Sequence, residues 1–195
     1  MIMQVLTFIL VTILSFKNQF MKKIGYILIS IFFLNSAKSQ SPCTSMPVYR
    51  QFDFWLGEWE AFEPKGTKSG DSKISHILDS CIILEEWTSQ QKTGNLVYAG
   101  KSFNTYNAVT NQWQQTWVDN SGGTIEYLEG KAGDGNIIFM TRPFAFNKDT
   151  MAIRKLSFNK LSADKVRQHG EISKDNGTSW KTEFDLEYRR KLKSK

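Results

Sequence analysis

The chain reads as an all-β protein, an antiparallel up-and-down β-barrel of about ten strands behind a short N-terminal helical cap. Three observations lead there. After residue 40 the sequence is a succession of short alternating runs separated by hairpin-length turn sequences. No segment sustains a helical period of useful length. Finally, Phe52 to Trp59 reads F-D-F-W-L-G-E-W, four large aromatics around one glycine. A run this apolar has to be buried, so it is expected to seal one end of the barrel. Gly57 is expected to let another backbone pass close by or to let the strand bend sharply.

The N-terminal elements concern targeting. Lys22 and Lys23 precede the apolar run Ile24 to Leu34, and Ser36, Ala37 and Ser39 follow, the order of a secretory signal cleaved near Ser39 or Gln40. Met1 to Phe20 is a second apolar run broken by Lys17 and Asn18, so either translation starts at Met21 or the leader is unusually long. Ile24 to Leu34 is too short to cross about 30 Å of hydrocarbon as a helix. No stable membrane span is therefore expected in the mature chain. Pro42 stands where a small residue precedes a lipidated cysteine, which argues against lipidation of Cys43. The division is 1–40 leader, 41–190 one barrel domain, and 191–195 a basic tail, in a secreted or periplasmic protein.

Charge changes meaning once the leader is set aside. The whole chain is +6, but four lysines and no acid lie in residues 1–40, leaving 21 basic against 19 acidic residues, net +2. Arg189, Arg190, Lys191, Lys193 and Lys195 crowd the end, where they are expected to form a solvated tail. The body is then slightly acidic, no basic stripe crosses it, and a nucleic-acid partner is excluded. Cys43 and Cys81 are the only cysteines, and an even pair in an exported chain predicts a disulfide. Closing a loop of about 39 residues stabilises by roughly 4 kcal/mol on the chain-entropy account.

The remaining elements follow in order. Val48 to Phe54, after Pro47, reads as the helical turn of the cap. Strands are expected at 55–63, 71–78, 81–89, 97–107, 112–119, 124–130, 136–142, 150–158, 165–173 and 179–189. Pro64-Lys65-Gly66, Asp79-Ser80, Lys92 to Asn95, Thr110-Asn111, Ser121-Gly122-Gly123, Asp134-Gly135, Asn147 to Asp149 and Asp175-Asn176-Gly177 separate them. Closure into a barrel removes exposed edges; a two-sheet sandwich is the alternative.

The F-D-F-W-L-G-E-W run resembles a motif of an uncharacterised family of secreted bacterial proteins. The likeness continues through Cys81, Glu85 and Trp87, W-x-Q-T-W-V-D-x-S-G-G from Trp113 to Gly123, Arg167-Gln168, S-x-D-x-G-x-x-W from Ser173 to Trp180, and Tyr188-Arg189-Arg190. That family is placed with calycin-like, lipocalin-like barrels, and Gly57-Glu58-Trp59 resembles the lipocalin G-x-W. The resemblance implies the fold and brings no catalytic residue. Ser173 to Trp180 also resembles an Asp-box, a folding device in which Asp175 accepts turn amides, Gly177 takes a positive φ and Trp180 packs over the hairpin.

Strand parity suggests what faces inward. Glu85 and Trp87 share a face with Cys81 and Ile83; Gln115, Trp117 and Asp119 share one with Trp113; Phe184 and Tyr188 lie opposite Lys181, Glu183, Asp185 and Glu187. Facing strands add Asn104, Tyr106, Arg154 and Gln168. These eleven residues form the candidate ligand site: aromatics as an apolar wall, with Glu85 and Asp119, beside Arg154 or Gln168, holding a polar end. The bland reading pairs Glu85 or Asp119 with Arg154 inside an interior filled by its own side chains. A ten-stranded barrel is wider than the roughly eight strands whose side chains just fill the inside, which favours a cavity.

The expected partner is a small, largely apolar molecule, with no cofactor. His76 and His169 lack a nucleophile motif, neither a metal-ligand spacing nor a phosphate loop occurs, and the surroundings of His169 do not match those of haem-binding ten-stranded barrels. Two alternatives stay open: a barrel isomerase or hydrolase using the interior carboxylates, and a scaffold with a filled barrel.

Overall fold

The structure, a computed structural model, describes residues 41–191. The expected leader and cleavage site, together with Lys193 and Lys195, lie outside those residues. Eleven strands follow the N-terminal turns: β1 Gly57–Phe62, β2 Lys68–Ile77, β3 Ile82–Thr93, β4 Leu96–Asn107, β5 Gln112–Asp119, β6 Thr124–Gly133, β7 Asn136–Met140, β8 Phe144–Asn147, β9 Thr150–Ser162, β10 Lys165–Ser173 and β11 Lys181–Arg190. All pairings are antiparallel. Ten strands close into a barrel, because β9 pairs with β10 and β11 returns to β1. The eleventh, β8, lies on the outer half of β9 and pairs with nothing else. It was not expected from the sequence, since Phe144–Asn147 is four residues long and follows Pro143.

The cap is a series of three short turns rather than one: α1 Pro42–Ser45, then 3₁₀ turns at Pro47–Arg50 and Asp53–Trp55. Ser41 caps α1 by accepting from the Cys43 amide at 3.3 Å. Cys43 and Cys81 form the disulfide, which ties this segment to the β2–β3 turn, one residue short of β3 itself. Beside it, Arg50 Nη2 donates to the Ser80 carbonyl at 2.8 Å, and His76 Nε2 meets Asp53 Oδ1 at 3.0 Å. The helical segment is thus laced to one end of the barrel by a covalent bond and a polar cluster.

That anchoring drives the aromatic run into the barrel. Phe52, Trp55 and Trp59 are fully buried. Phe52 stacks on Trp55 with ring centres 5.1 Å apart, Phe158 packs 4.4 Å from Trp55, and Trp113 and Phe139 close around Phe52 at 5.9 and 6.0 Å. Offset and edge-on contacts of this kind each contribute about 0.5–1.5 kcal/mol beyond the area they bury. This end is a solid plug.

Gly57 does have a positive φ, +129°, but what crosses it is a side chain rather than another backbone. Arg190 lays its guanidinium 4.2 Å above the Trp59 ring and donates to the Leu56 carbonyl at 3.2 Å. A side chain at residue 57 would collide with it. The expectation of a free basic end is corrected here: Arg189 pairs with Glu187, Arg190 with Asp164, and the Lys191 amide donates to the Glu58 carbonyl. Arg190 and the Lys191 amide thus tie the end of β11 to Asp164 and to β1.

The Asp-box hairpin behaves as expected. Asp175 accepts from the Ser179 amide at 2.9 Å and from the Ser173 hydroxyl at 2.7 Å, Gly177 has φ +88°, and Trp180 Nε1 donates to the Gly177 carbonyl. No described helix is long and apolar enough to cross a membrane.

Candidate functional site

Above the plug the barrel is not filled. A cavity of about 230 Å³ opens toward the β3–β4 and β5–β6 end, lined by Glu85, Trp87, Tyr98, Gln115, Trp117, Ile125, Tyr127, Leu156, Gln168, Phe184, Leu186 and Tyr188. The wall is apolar because inward positions on β3, β5 and β11 carry large side chains, and it stays open because inward glycines stand beside them. A methyl group at Gly100 would fall inside the Trp117 indole, at Gly70 inside the Trp87 indole, and at Gly170 inside the Phe184 ring. The aromatics lie flat over these bare stretches of backbone instead of crossing the lumen.

The floor is polar and nearly dry. Glu85 is 2% exposed. Its Oε1 accepts from the Ser72 hydroxyl and its Oε2 from the Ser102 hydroxyl, both at 2.9 Å. Tyr188 Oη lies 3.2 Å from Glu85 Oε1 and 2.8 Å from Gln168 Oε1. On the other side, Asn104 Nδ2 donates to Ser102 Oγ and to the Ile83 carbonyl, each at 3.0 Å, and Gln115 Nε2 donates to Asn104 Oδ1 at 2.6 Å. Burial without a cation pushes the Glu85 carboxyl up to about 7, against the pull of its three hydroxyl neighbours. Tyr188 is raised too, by burial and by the carboxylate beside it, and burial lifts Tyr127 to about 12.

Seven of the eleven sequence-derived site residues line this cavity: Glu85, Trp87, Gln115, Trp117, Gln168, Phe184 and Tyr188. Asn104 sits behind the floor and orients Gln115. The other three belong elsewhere. Tyr106 packs against Tyr49 and Trp113 at the plugged end, with its hydroxyl on Asn111. Asp119 organises the β5–β6 turn by accepting from Ser121 and the Gly123 amide, which hold its carboxyl well below the usual range; it takes Trp117 Nε1 at 3.3 Å as well. Arg154 has the inward parity of Leu156 but lies at the mouth, where it forms a two-point pair with Glu183 at 2.8 and 3.1 Å and covers the Phe144 ring. The register shift after Gly170 brings Glu183 within reach. Neither Glu85 nor Asp119 pairs with Arg154.

Ser72, Ser102, Tyr98, Tyr127, Ile125 and Leu156 were not anticipated at the site, whereas Leu186 shares the inward parity of Phe184 and Tyr188. Parity was the available signal for several: Ser72 alternates with Asp71 and Lys73, and Tyr127 with Glu126. His76 and His169 stay outside the cavity, in contact with Asp53 and Thr182 respectively. Among the described residues no cluster of His, Cys, Asp or Glu has the makings of a metal site. Neither the family models nor the curated proteins compared with this chain match it.

Proposed function

We propose that this is a secreted or periplasmic binding protein that takes up one small, largely apolar molecule through the open end of the barrel. The observation that carries the reading is the cavity itself, an aromatic-walled space above a hydrogen-bonded floor, with the opposite end plugged. Its volume of about 230 Å³ exceeds the roughly 150 Å³ that admits benzene in an engineered apolar cavity. It falls below the range of drug-sized sites, which points to a ligand of one ring or a short chain. The disulfide supports an exported location. Titration of the purified protein with an apolar fluorophore is the test: the reading expects one probe per barrel with quenching of tryptophan emission, and fails if no apolar probe binds. Mass spectrometry of exported protein is expected to find an N-terminus near Gln40 and a mass two hydrogens below the reduced form.

A second reading rests on Glu85. A carboxyl held near 7 at the base of a cavity has the proton affinity of a general acid or base working at neutral pH. Under that reading Glu85→Gln abolishes turnover while leaving binding intact; under the first it leaves most affinity for a neutral ligand and there is no turnover to lose.

A further inference from the structure

We infer that the cavity floor recognises an uncharged head group that both donates and accepts a hydrogen bond, such as a carboxamide or an undissociated carboxylic acid, and that the proton on Glu85 sets this preference through Tyr188 and Gln168. This deepens the binding reading above and rests on it.

One wall has a fixed polarity. The Ile83 carbonyl can only accept, so Asn104 must turn its NH₂ toward it and its oxygen toward Gln115. Gln115 therefore spends one Nε2 hydrogen on Asn104, and the orientation this fixes leaves its Oε1 to the cavity as an acceptor. Tyr127, directly opposite Gln115 on β6, is 3% exposed, yet its hydroxyl makes no hydrogen bond among the described residues. It too lines the cavity, with a hydroxyl able to donate or accept.

The facing wall has two settings. Tyr188 has a single hydroxyl hydrogen and two neighbours, Gln168 Oε1 at 2.8 Å and Glu85 Oε1 at 3.2 Å. When Glu85 is neutral its own hydrogen goes to Tyr188 Oη, the Tyr188 hydrogen goes to Gln168 Oε1, and the Gln168 NH₂ is left to the cavity as a donor. When Glu85 is ionised it takes the Tyr188 hydrogen. Tyr188 Oη then accepts from Gln168 Nε2, and the amide turns its oxygen to the cavity. The neutral floor thus presents a donor at Gln168 facing an acceptor at Gln115; the ionised floor presents two acceptors.

The groups that face Glu85 are Ser72 from β2, Ser102 from β4, Tyr188 from β11 and, through Tyr188, Gln168 from β10. Only Tyr188 among them titrates, and it stays neutral because its hydroxyl is raised well above its ordinary value. Among the described residues no cationic side chain lines the cavity to balance a charged ligand. An anionic head would meet the Gln115 oxygen with no cation to balance its charge.

Calorimetric titration of the intact protein with toluene, benzamide and benzoate, at about pH 6 and about pH 8.5, tests this. Benzamide is expected to bind at least about tenfold tighter than the other two at the lower pH, and to lose about tenfold or more at the higher one as Glu85 ionises. Glu85→Gln should remove the pH dependence. Gln168→Met keeps the volume and should abolish the benzamide-over-toluene preference at the lower pH, a change in relative affinity that a fold defect, which weakens both ligands, would not produce. Benzoate binding as tightly as benzamide, or a wild-type preference unchanged by pH, overturns the inference. If toluene binds and head groups make no difference, this inference falls alone; if none of the three binds, the binding reading falls with it.

Discussion

The two ends of the barrel are built from the same kind of residue and do opposite things. At the plugged end Phe52, Trp55, Phe158 and Phe139 touch ring to ring with no exposure. At the open end Trp87 and Trp117 are only half-buried, and each lies over a glycine that removes its neighbour from the lumen. An aromatic among aromatics fills space, whereas an aromatic over glycine clears it. The plug accordingly ought to hold most of the stability, and the mouth most of the binding.

Emptying the plug should have the largest effect. Trp55→Ala is expected to cost about 3 to 5 kcal/mol in denaturant unfolding, the range for truncating a fully buried large aromatic. A loss under about 1 kcal/mol would mean that the end is not a plug. Next comes the tie that holds the plug in place. Cys81→Ser opens the disulfide and should cost up to about 4 kcal/mol, with Phe52 and Trp55 becoming accessible to quenchers before the strands unfold.

The floor supplies a smaller, pH-dependent effect. Glu85 has a folded value raised from 4.5 to about 7, so the folded state binds the proton more tightly than the unfolded one. Its contribution is greatest at low pH and is lost as pH rises from about 4.5 through about 7, by about 3 kcal/mol in all. Carboxylates lowered by partners, Asp185 beside Arg167 among them, slope the other way, so the clean quantity is the wild type minus Glu85→Gln difference. That difference should move by about 3 kcal/mol against the wild type between about pH 4.5 and about pH 8. A flat difference would mean that Glu85 is solvated. Smallest in stability but visible in binding is Gly100→Ala, whose methyl pushes the Trp117 indole into the lumen. It should weaken an apolar probe more than it alters the unfolding midpoint.

Much of this was legible in the sequence because barrel strands carry a period of two and hairpin turns carry their own residues. The F-D-F-W-L-G-E-W run had nowhere to go but a core. Parity found Glu85, Gln115, Gln168 and Tyr188 at one floor, although they come from four strands. It failed where the backbone departs from strict alternation or the barrel ends. Arg154 has the right parity at the wrong height, where a register shift hands it Glu183. Tyr106 and Asp119 share inward faces with true cavity residues but sit one at the plug and one at the rim. Height along the barrel depends on how strands are staggered around it, and no single strand's pattern records that. The inward serines at 72 and 102 escaped notice because a small hydroxyl reads as polar surface until a buried carboxyl is known to need it.

If the mouth binds and the plug holds, Trp117→Ala separates the two when probe affinity and unfolding free energy are measured on the same preparation. Trp117 borders space that is already open, so removing it adds little new cavity. The expected result is about a tenfold or larger loss of apolar-probe affinity with an unfolding cost of only about 1 to 2 kcal/mol. A variant that binds the probe as tightly as wild type, or that loses about 3 to 5 kcal/mol as a plug residue would, contradicts it.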